Sequence, residues 1–152
     1  LGGERSVSES VDLPCDPVGG AAGDSAEPRW AALPDIGVGG SGGNVVSADL
    51  DGDRRPDLAV ATYEGLVVLR NRGRGKFEAA LDAVPIMRAR GVAALDVDQD
   101  SDVDLVIAED ASLTVLLNDG RGKFARSASY AVGVEPYNIA SADLNGDGRA
   151  DL

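Results

Sequence analysis

Oxygen-bearing side chains recur at alternate positions in three nine-residue stretches of this chain. The first is Asp49-Leu50-Asp51-Gly52-Asp53-Arg54-Arg55-Pro56-Asp57. The second is Asp96-Val97-Asp98-Gln99-Asp100-Ser101-Asp102-Val103-Asp104, and the third is Asp143-Leu144-Asn145-Gly146-Asp147-Gly148-Arg149-Ala150-Asp151. In each, the first, third, fifth and ninth places carry Asp or Asn. The seventh place (Arg55, Asp102 or Arg149) would add an oxygen, from the backbone carbonyl where the residue is arginine. Hard oxygen donors at this spacing suit Ca²⁺, which accepts six to eight oxygens in a tolerant geometry. Magnesium demands a stricter octahedron. Zinc favours nitrogen or sulfur, and the chain has one cysteine and no histidine.

The charge pattern points the same way. Twelve of the 26 acidic residues fall inside these three stretches. Carboxylates about 5 Å apart repel by roughly 3 kcal/mol per pair at an effective dielectric near 20, so crowding them into one loop is costly without a cation. An EF-hand is excluded for the first two stretches: its twelfth place requires a bidentate Glu, and here that place holds Val60 and Ile107. The copies are not equal. The third has Gly146 and Gly148, which let the backbone wrap an ion. Arg54 and Ser101 stand where Gly148 does, and Gln99 stands where Gly146 does. If Gly148 needs a left-handed backbone, its counterparts Arg54 and Ser101 carry strain. All three copies are expected to bind; the second carries the most charge, and the first departs through Arg54.

The elements that must hold these loops repeat with them. The first residues of the three stretches are 47 positions apart both times. At that offset Asn71-Arg72-Gly73-Arg74-Gly75-Lys76-Phe77 falls on Asn118-Asp119-Gly120-Arg121-Gly122-Lys123-Phe124, and Leu58–Ala61 falls on Leu105–Ala108. Leu66–Leu69 falls on Leu113–Leu116, and Asn44–Ala48 falls on Gly91–Leu95 and then on Asn138–Ala142. Each apolar run is short, rich in Val, Ile and Leu, and bounded by Gly, Asn or Asp, which predicts strands. One repeat reads as strand, acidic loop, strand, short turn, strand, Gly-rich turn, strand. Four strands in one such repeat predict a propeller blade, so the fold class is all-β: a partial β-propeller of four-stranded antiparallel blades. The Asn-x-Gly-x-Gly segments lack the Lys-Ser/Thr ending of a phosphate-binding loop and read as hairpin turns. The recurring aromatics Trp30, Phe77 and Phe124 read as blade-to-blade packing. Residues 1–27, rich in Gly, Ser, Ala and acids, read as a flexible linker or tail; residues 28–152 read as about two and a half blades.

Composition excludes several classes of function. A formal net charge of −12 argues against nucleic acid and against an anionic membrane face. No run of 18 apolar residues predicts membrane insertion. Cys15 alone cannot form an intrachain disulfide, and the absence of histidine removes the commonest general base.

At the residues just named the chain resembles the FG-GAP/VCBS repeat family, whose calcium-loop blades also build integrin α-subunit propellers. Ala142–Leu152 is similar to that family's loop, and Leu116–Phe124 to the segment that follows it. The resemblance covers about residues 28–152. It implies a propeller, usually of seven blades, with calcium between the first two strands of a blade. It also implies an extracellular, cell-surface or periplasmic protein that binds proteins or glycans. Further blades in a longer chain are therefore expected. The leading expectation is a non-enzymatic module with structural calcium and no catalytic residues. Two alternatives stand beside it: the non-catalytic part of a secreted polysaccharide-degrading enzyme, and a spacer in a surface protein. Tyr63, Tyr130 and Tyr137 could serve as acid/base or sugar-stacking groups, and packing is the reading favoured for them.

Overall fold

The computed structural model describes residues 36–38, 41–80 and 84–152. The predicted tail (residues 1–27, with Cys15) and Trp30 lie outside the described residues. The fold occupies the unit Val38–Leu152. Its strands are β1 (Gly42–Ala48), β2 (Asp57–Thr62), β3 (Gly65–Asn71), β4 (Phe77–Ala79), β5 (Ala89–Leu95), β6 (Asp104–Glu109), β7 (Ser112–Asn118) and β8 (Phe124–Ala131). Each strand of the second set begins 47 residues after its counterpart in the first. Both sets form four-stranded sheets in the order β1-β2-β3-β4 and β5-β6-β7-β8, antiparallel throughout. The register slips at the same place in the first hairpin of each sheet, between Gly42 and Val45 and between Ala89 and Gly91. The two sheets are successive blades of an all-β partial propeller, and neither closes on itself. Among the described residues there is no helix, so none is long and apolar enough to cross a membrane.

The chain lays each blade down as an up-and-down meander, so the turns segregate to two ends. The acidic stretches joining β1 to β2 and β5 to β6 share one end with the Gly-rich turns after β3 and β7. The tight turns after β2 and β6 lie at the other end. The third acidic stretch follows β8 and is closed by a two-residue bridge, with Ala142 N–H to Asp151 O at 3.1 Å and Asp151 N–H to Ala142 O at 2.7 Å.

Burial explains why the middle of β6, Leu105 to Ala108, is an unbroken apolar run. Leu105 and Ile107 join Ala59, Ala61, Leu66, Val68, Val92, Leu116 and Phe124 in a core shared by both blades. Val106 lies in a second cluster with Ala93, Leu95 and Val115, against which Ile139 packs. A strand buried on both faces has no reason to alternate polar and apolar residues. Phe124 takes the packing role expected of the repeated aromatic, while Phe77 on the short β4 is half-buried.

Candidate metal centre

Each acidic loop is built from its two ends inward. In the first, Asp49 opens the turn: its Oδ1 accepts the N–H groups of Gly52 (2.9 Å) and Asp53 (3.1 Å), and its Oδ2 accepts that of Arg54 (2.7 Å). Asp57, fully buried at the start of β2, closes it. Its Oδ2 accepts the Leu50 N–H at 3.0 Å, and its Oδ1 accepts the Asn71 N–H at the end of β3 at 2.7 Å. The second loop repeats the scheme. Asp96 accepts from Gln99 (2.7 Å) and Ser101 (3.1 Å), and buried Asp104 accepts from Val97 (2.8 Å) and Asn118 (2.9 Å). In the third, Asp143 accepts from Gly146 (2.7 Å), Asp147 (3.2 Å) and Gly148 (2.9 Å), and Asp151 accepts from Leu144 (2.9 Å). The first and ninth carboxylates therefore shape the loop as well as lining it. Local Asp-to-backbone bonds are what turns of this kind use in place of ladder bonds.

The wrapped backbone is left-handed at equivalent points. Gly148 has φ 83°, and its counterparts Arg54 and Ser101 have φ 66° and 76°; Gln99, the counterpart of Gly146, has φ 67°. A residue with a Cβ costs about 1–2 kcal/mol in this region relative to its right-handed alternative. The strain expected at Arg54 and Ser101 is present, and Gln99 shares it.

With the ends fixed, carboxylates converge. Oxygens of Asp49, Asp51 and Asp57 lie within 4.8 Å of one another, as do those of Asp96, Asp98 and Asp104. Asp53, Asp100 and Asp102 stand outside these groups. Asp53 is engaged by the backbone N–H and guanidinium of Arg55, and Asp100 accepts the Asp102 N–H at 2.9 Å. In the third loop Asn145 takes the place of the third carboxylate; its Oδ1 accepts from Asp147 (2.8 Å) and its Nδ2 approaches Asp151 Oδ1 at 3.4 Å. Asp147 accepts the Arg149 N–H at 2.9 Å.

The donor set fits a hard cation. Asp51 Oδ1 is buried and has no hydrogen-bond partner, a costly state for a carboxylate oxygen unless something binds it. The Asp51 carboxyl is pushed above its usual range by burial, then by the neighbouring Asp57 and Asp53. Asp98 and Asp102 are raised too, first by desolvation and then by Asp100. Asp143 is lowered by the N–H groups of Gly148 and Gly146, and Asp119 by those of Arg121 and, less, Lys123.

A pH dependence follows from these shifts. A carboxyl raised in the folded state favours folding below its unfolded value near 3.8 and loses that contribution as pH rises through the folded value. The lowered Asp119 and Asp143 act oppositely, and only as pH falls below that same value. In a chelator, the unfolding midpoint should therefore climb as pH drops from neutral towards the carboxylate range. With calcium present, where protons and ion compete, that climb should vanish or invert. Thermal melts across pH with and without calcium check this; parallel profiles would contradict it.

The Gly-rich turn after β7 ties the second blade to the first loop. Asn118, at the end of β7, is buried. Its Nδ2 donates to Val103 O within its own blade and to Leu50 O in the first loop, both at 2.9 Å, while its Oδ1 accepts from Gly122 at 3.1 Å. The turn seats directly on the loop: a Cβ on Gly52 would lie 3.0 Å from the Gly120 carbonyl oxygen, and a Cβ on Gly120 would overlap the Asp102 carboxylate. Leu50 is 1% exposed beneath this turn, whereas its counterparts Val97 and Leu144 are 39% and 75% exposed. Both Asn-x-Gly-x-Gly segments are the hairpin turns that their sequence predicts, and the second adds a contact with the preceding loop that its sequence does not announce.

Successive antiparallel blades, each with an Asp-rich loop between its first two strands, define a propeller-repeat protein. Residues 49–107 and 96–152 each match the FG-GAP-like repeat family, and the chain belongs to that family. A search of curated proteins gave no match.

Proposed function

We propose that the described fold is a non-catalytic β-propeller module, stabilised by calcium in its acidic loops and used outside the cell to bind a protein or glycan. The single observation behind the metal is the convergence of three carboxylates in each of the first two loops, with one buried Asp51 oxygen left unpartnered. Asp49, Asp51 and Asp57 would hold an ion in the first loop, Asp96, Asp98 and Asp104 in the second, and Asp143, Asn145 and Asp151 in the third. Bound there, calcium would neutralise the mutual repulsion of the carboxylates. Asp57 and Asp104 would pass that stabilisation on, because each also ties its loop to the end of β3 or β7. Membership of the repeat family supports an adhesion-type role. The millimolar calcium of extracellular fluids matches the affinity range of extracellular modules.

The recognition surface in this reading is the end opposite the loops. Tyr63, Met87, Tyr130, Val132, Val134 and Tyr137 are exposed there, so the three tyrosines are not the buried packing groups expected of them. Two of the tyrosines carry arginines, with Arg88 over Tyr63 at 5.6 Å and Arg90 over Tyr137 at 4.8 Å from the ring centroid. Aromatic faces on turns held by a rigid scaffold suit a glycan or a protein partner.

Calorimetric titration tests the metal. Uptake is expected at millimolar calcium or below, with a stability gain of about 1.4 kcal/mol per site at ten times the dissociation constant. No heat of binding and no rise in unfolding midpoint would sink it.

A further inference from the structure

The first two loops balance their charge in different ways. Around the first, Arg72 Nη1 lies 3.8 Å and Arg70 Nε 4.0 Å from Asp51 Oδ2, and the Arg55 guanidinium pairs with Asp53. Arg70 is held in place from across the blade junction, its Nη2 donating to the carbonyls of Arg121 (3.2 Å) and Gly122 (3.3 Å). Arg72 is fixed by Glu78, with Nε to Oε2 at 2.8 Å. Asp51 thus has charge nearby but no hydrogen bond: both contacts are too long, and both Asp51 Oδ1 and Arg70 Nε are buried without partners. Around the second loop the equivalents are reversed. Forty-seven residues on, Arg70 becomes Leu117, Arg72 becomes Asp119 and Arg55 becomes Asp102. Among the described residues no ion pair reaches any of the five aspartates of that loop.

We propose that Arg70 and Arg72 are resident counter-cations of the first loop, which keeps its shape without metal and takes calcium weakly, while the second loop depends on calcium and fills first. The proposal rests on the calcium reading above. Its physical basis is Coulombic: a divalent ion entering beside Asp51 meets two guanidiniums within about 4 Å of that carboxylate, whereas among the described residues no cationic side chain is paired with Asp98 or its neighbours in the loop. Arg70 also joins Asp51 to the neighbouring turn, so an ion at the first loop would compete with a contact between blades.

Calcium titration of the full chain, followed by calorimetry and thermal melts, tests this. Asp51→Asn and Asp98→Asn, each removing one binding class, assign the classes. In the unsubstituted protein the Asp98 class should be about tenfold tighter or more than the Asp51 class. Arg70→Gln with Arg72→Gln should tighten the Asp51 class by about tenfold and lower the unfolding midpoint in chelator. Leu117→Arg is the reciprocal probe and should weaken the Asp98 class several-fold. Two classes of equal affinity, or an Asp51 class indifferent to loss of the arginines, would overturn the proposal and leave calcium binding standing. No uptake by any form would remove the calcium reading and this inference with it.

Discussion

Replacing Asp104 with alanine should lower the stability of the metal-free protein by about 2–5 kcal/mol. The side chain is fully buried and accepts two backbone N–H groups, from Val97 at the start of the loop and from Asn118 at the end of β7. Alanine leaves both donors without an acceptor. An unpaired buried donor costs about 1–3 kcal/mol, and bonds to a carboxylate are stronger than neutral ones. The midpoint of thermal unfolding should fall by about 10 °C or more for a unit of this size. Asp104→Asn keeps one acceptor and turns an amide donor towards the other N–H, so it should destabilise too, by less than Asp104→Ala. Asp100→Ala is the control: its carboxylate is exposed and accepts one exposed N–H, and its loss should stay within about 0.5 kcal/mol in chelator. Urea unfolding in chelator measures all three. A loss below about 1 kcal/mol for Asp104→Ala would mean that the two N–H groups find water, and that the ninth aspartate matters for metal alone.

That experiment separates two roles that one residue carries. The sequence marks Asp57, Asp104 and Asp151 as oxygen donors at a set spacing, and says nothing of the N–H groups they accept. Other features were plain. The interval of 47 residues and the short Val, Ile and Leu runs correctly predicted strand order, because a repeated unit must repeat its hydrogen bonding. Gly148 announced a left-handed position that Arg54 and Ser101 share. Side-chain reach was not legible. Whether Asp53 faces the loop interior or Arg55 depends on rotamers that spacing does not encode. The pairing of Arg70 with Asp51 is set by the neighbouring blade, which approaches from 51 residues away in the chain. Nor could Asn118 be told from Asn71. Both read as turn residues, and only packing brings one of them against Leu50.

This difference between the two asparagines supports the second large effect. Asn71→Ala should remove two side-chain bonds, Nδ2 to Pro56 O at 2.9 Å and Oδ1 from Gly73 N–H at 2.8 Å. Asn118→Ala removes the matching Nδ2 bond to Val103 O, an Oδ1 bond that accepts from Gly122 N–H two residues further along the turn, and, in addition, the bond to Leu50 O, in a setting that is buried where Asn71 is half-exposed. Three partners are then left unpaired, two carbonyls and one N–H. At about 1 kcal/mol or more for each, Asn118→Ala should cost roughly 3–4 kcal/mol, against about 1–2 kcal/mol for Asn71→Ala. The distribution of the loss is as informative as its size. Leu50 is covered by the turn that Asn118 organises, so Asn118→Ala should loosen the first blade's loop as well as its own. Amide hydrogen exchange should show faster exchange at Leu50 and Gly52 in Asn118→Ala, and no change at Val97 and Gln99 in Asn71→Ala. Equal losses for the two variants, or exchange confined to the second blade, would mean that the Asn118–Leu50 bond adds nothing to the joining of the blades. Asn118 and Leu50 are 68 residues apart, so their bond links the two blades and belongs to neither blade's own hairpins. Asn118 therefore acts on the junction between the blades, and the acidic loop beneath it is where a loosened junction is felt first.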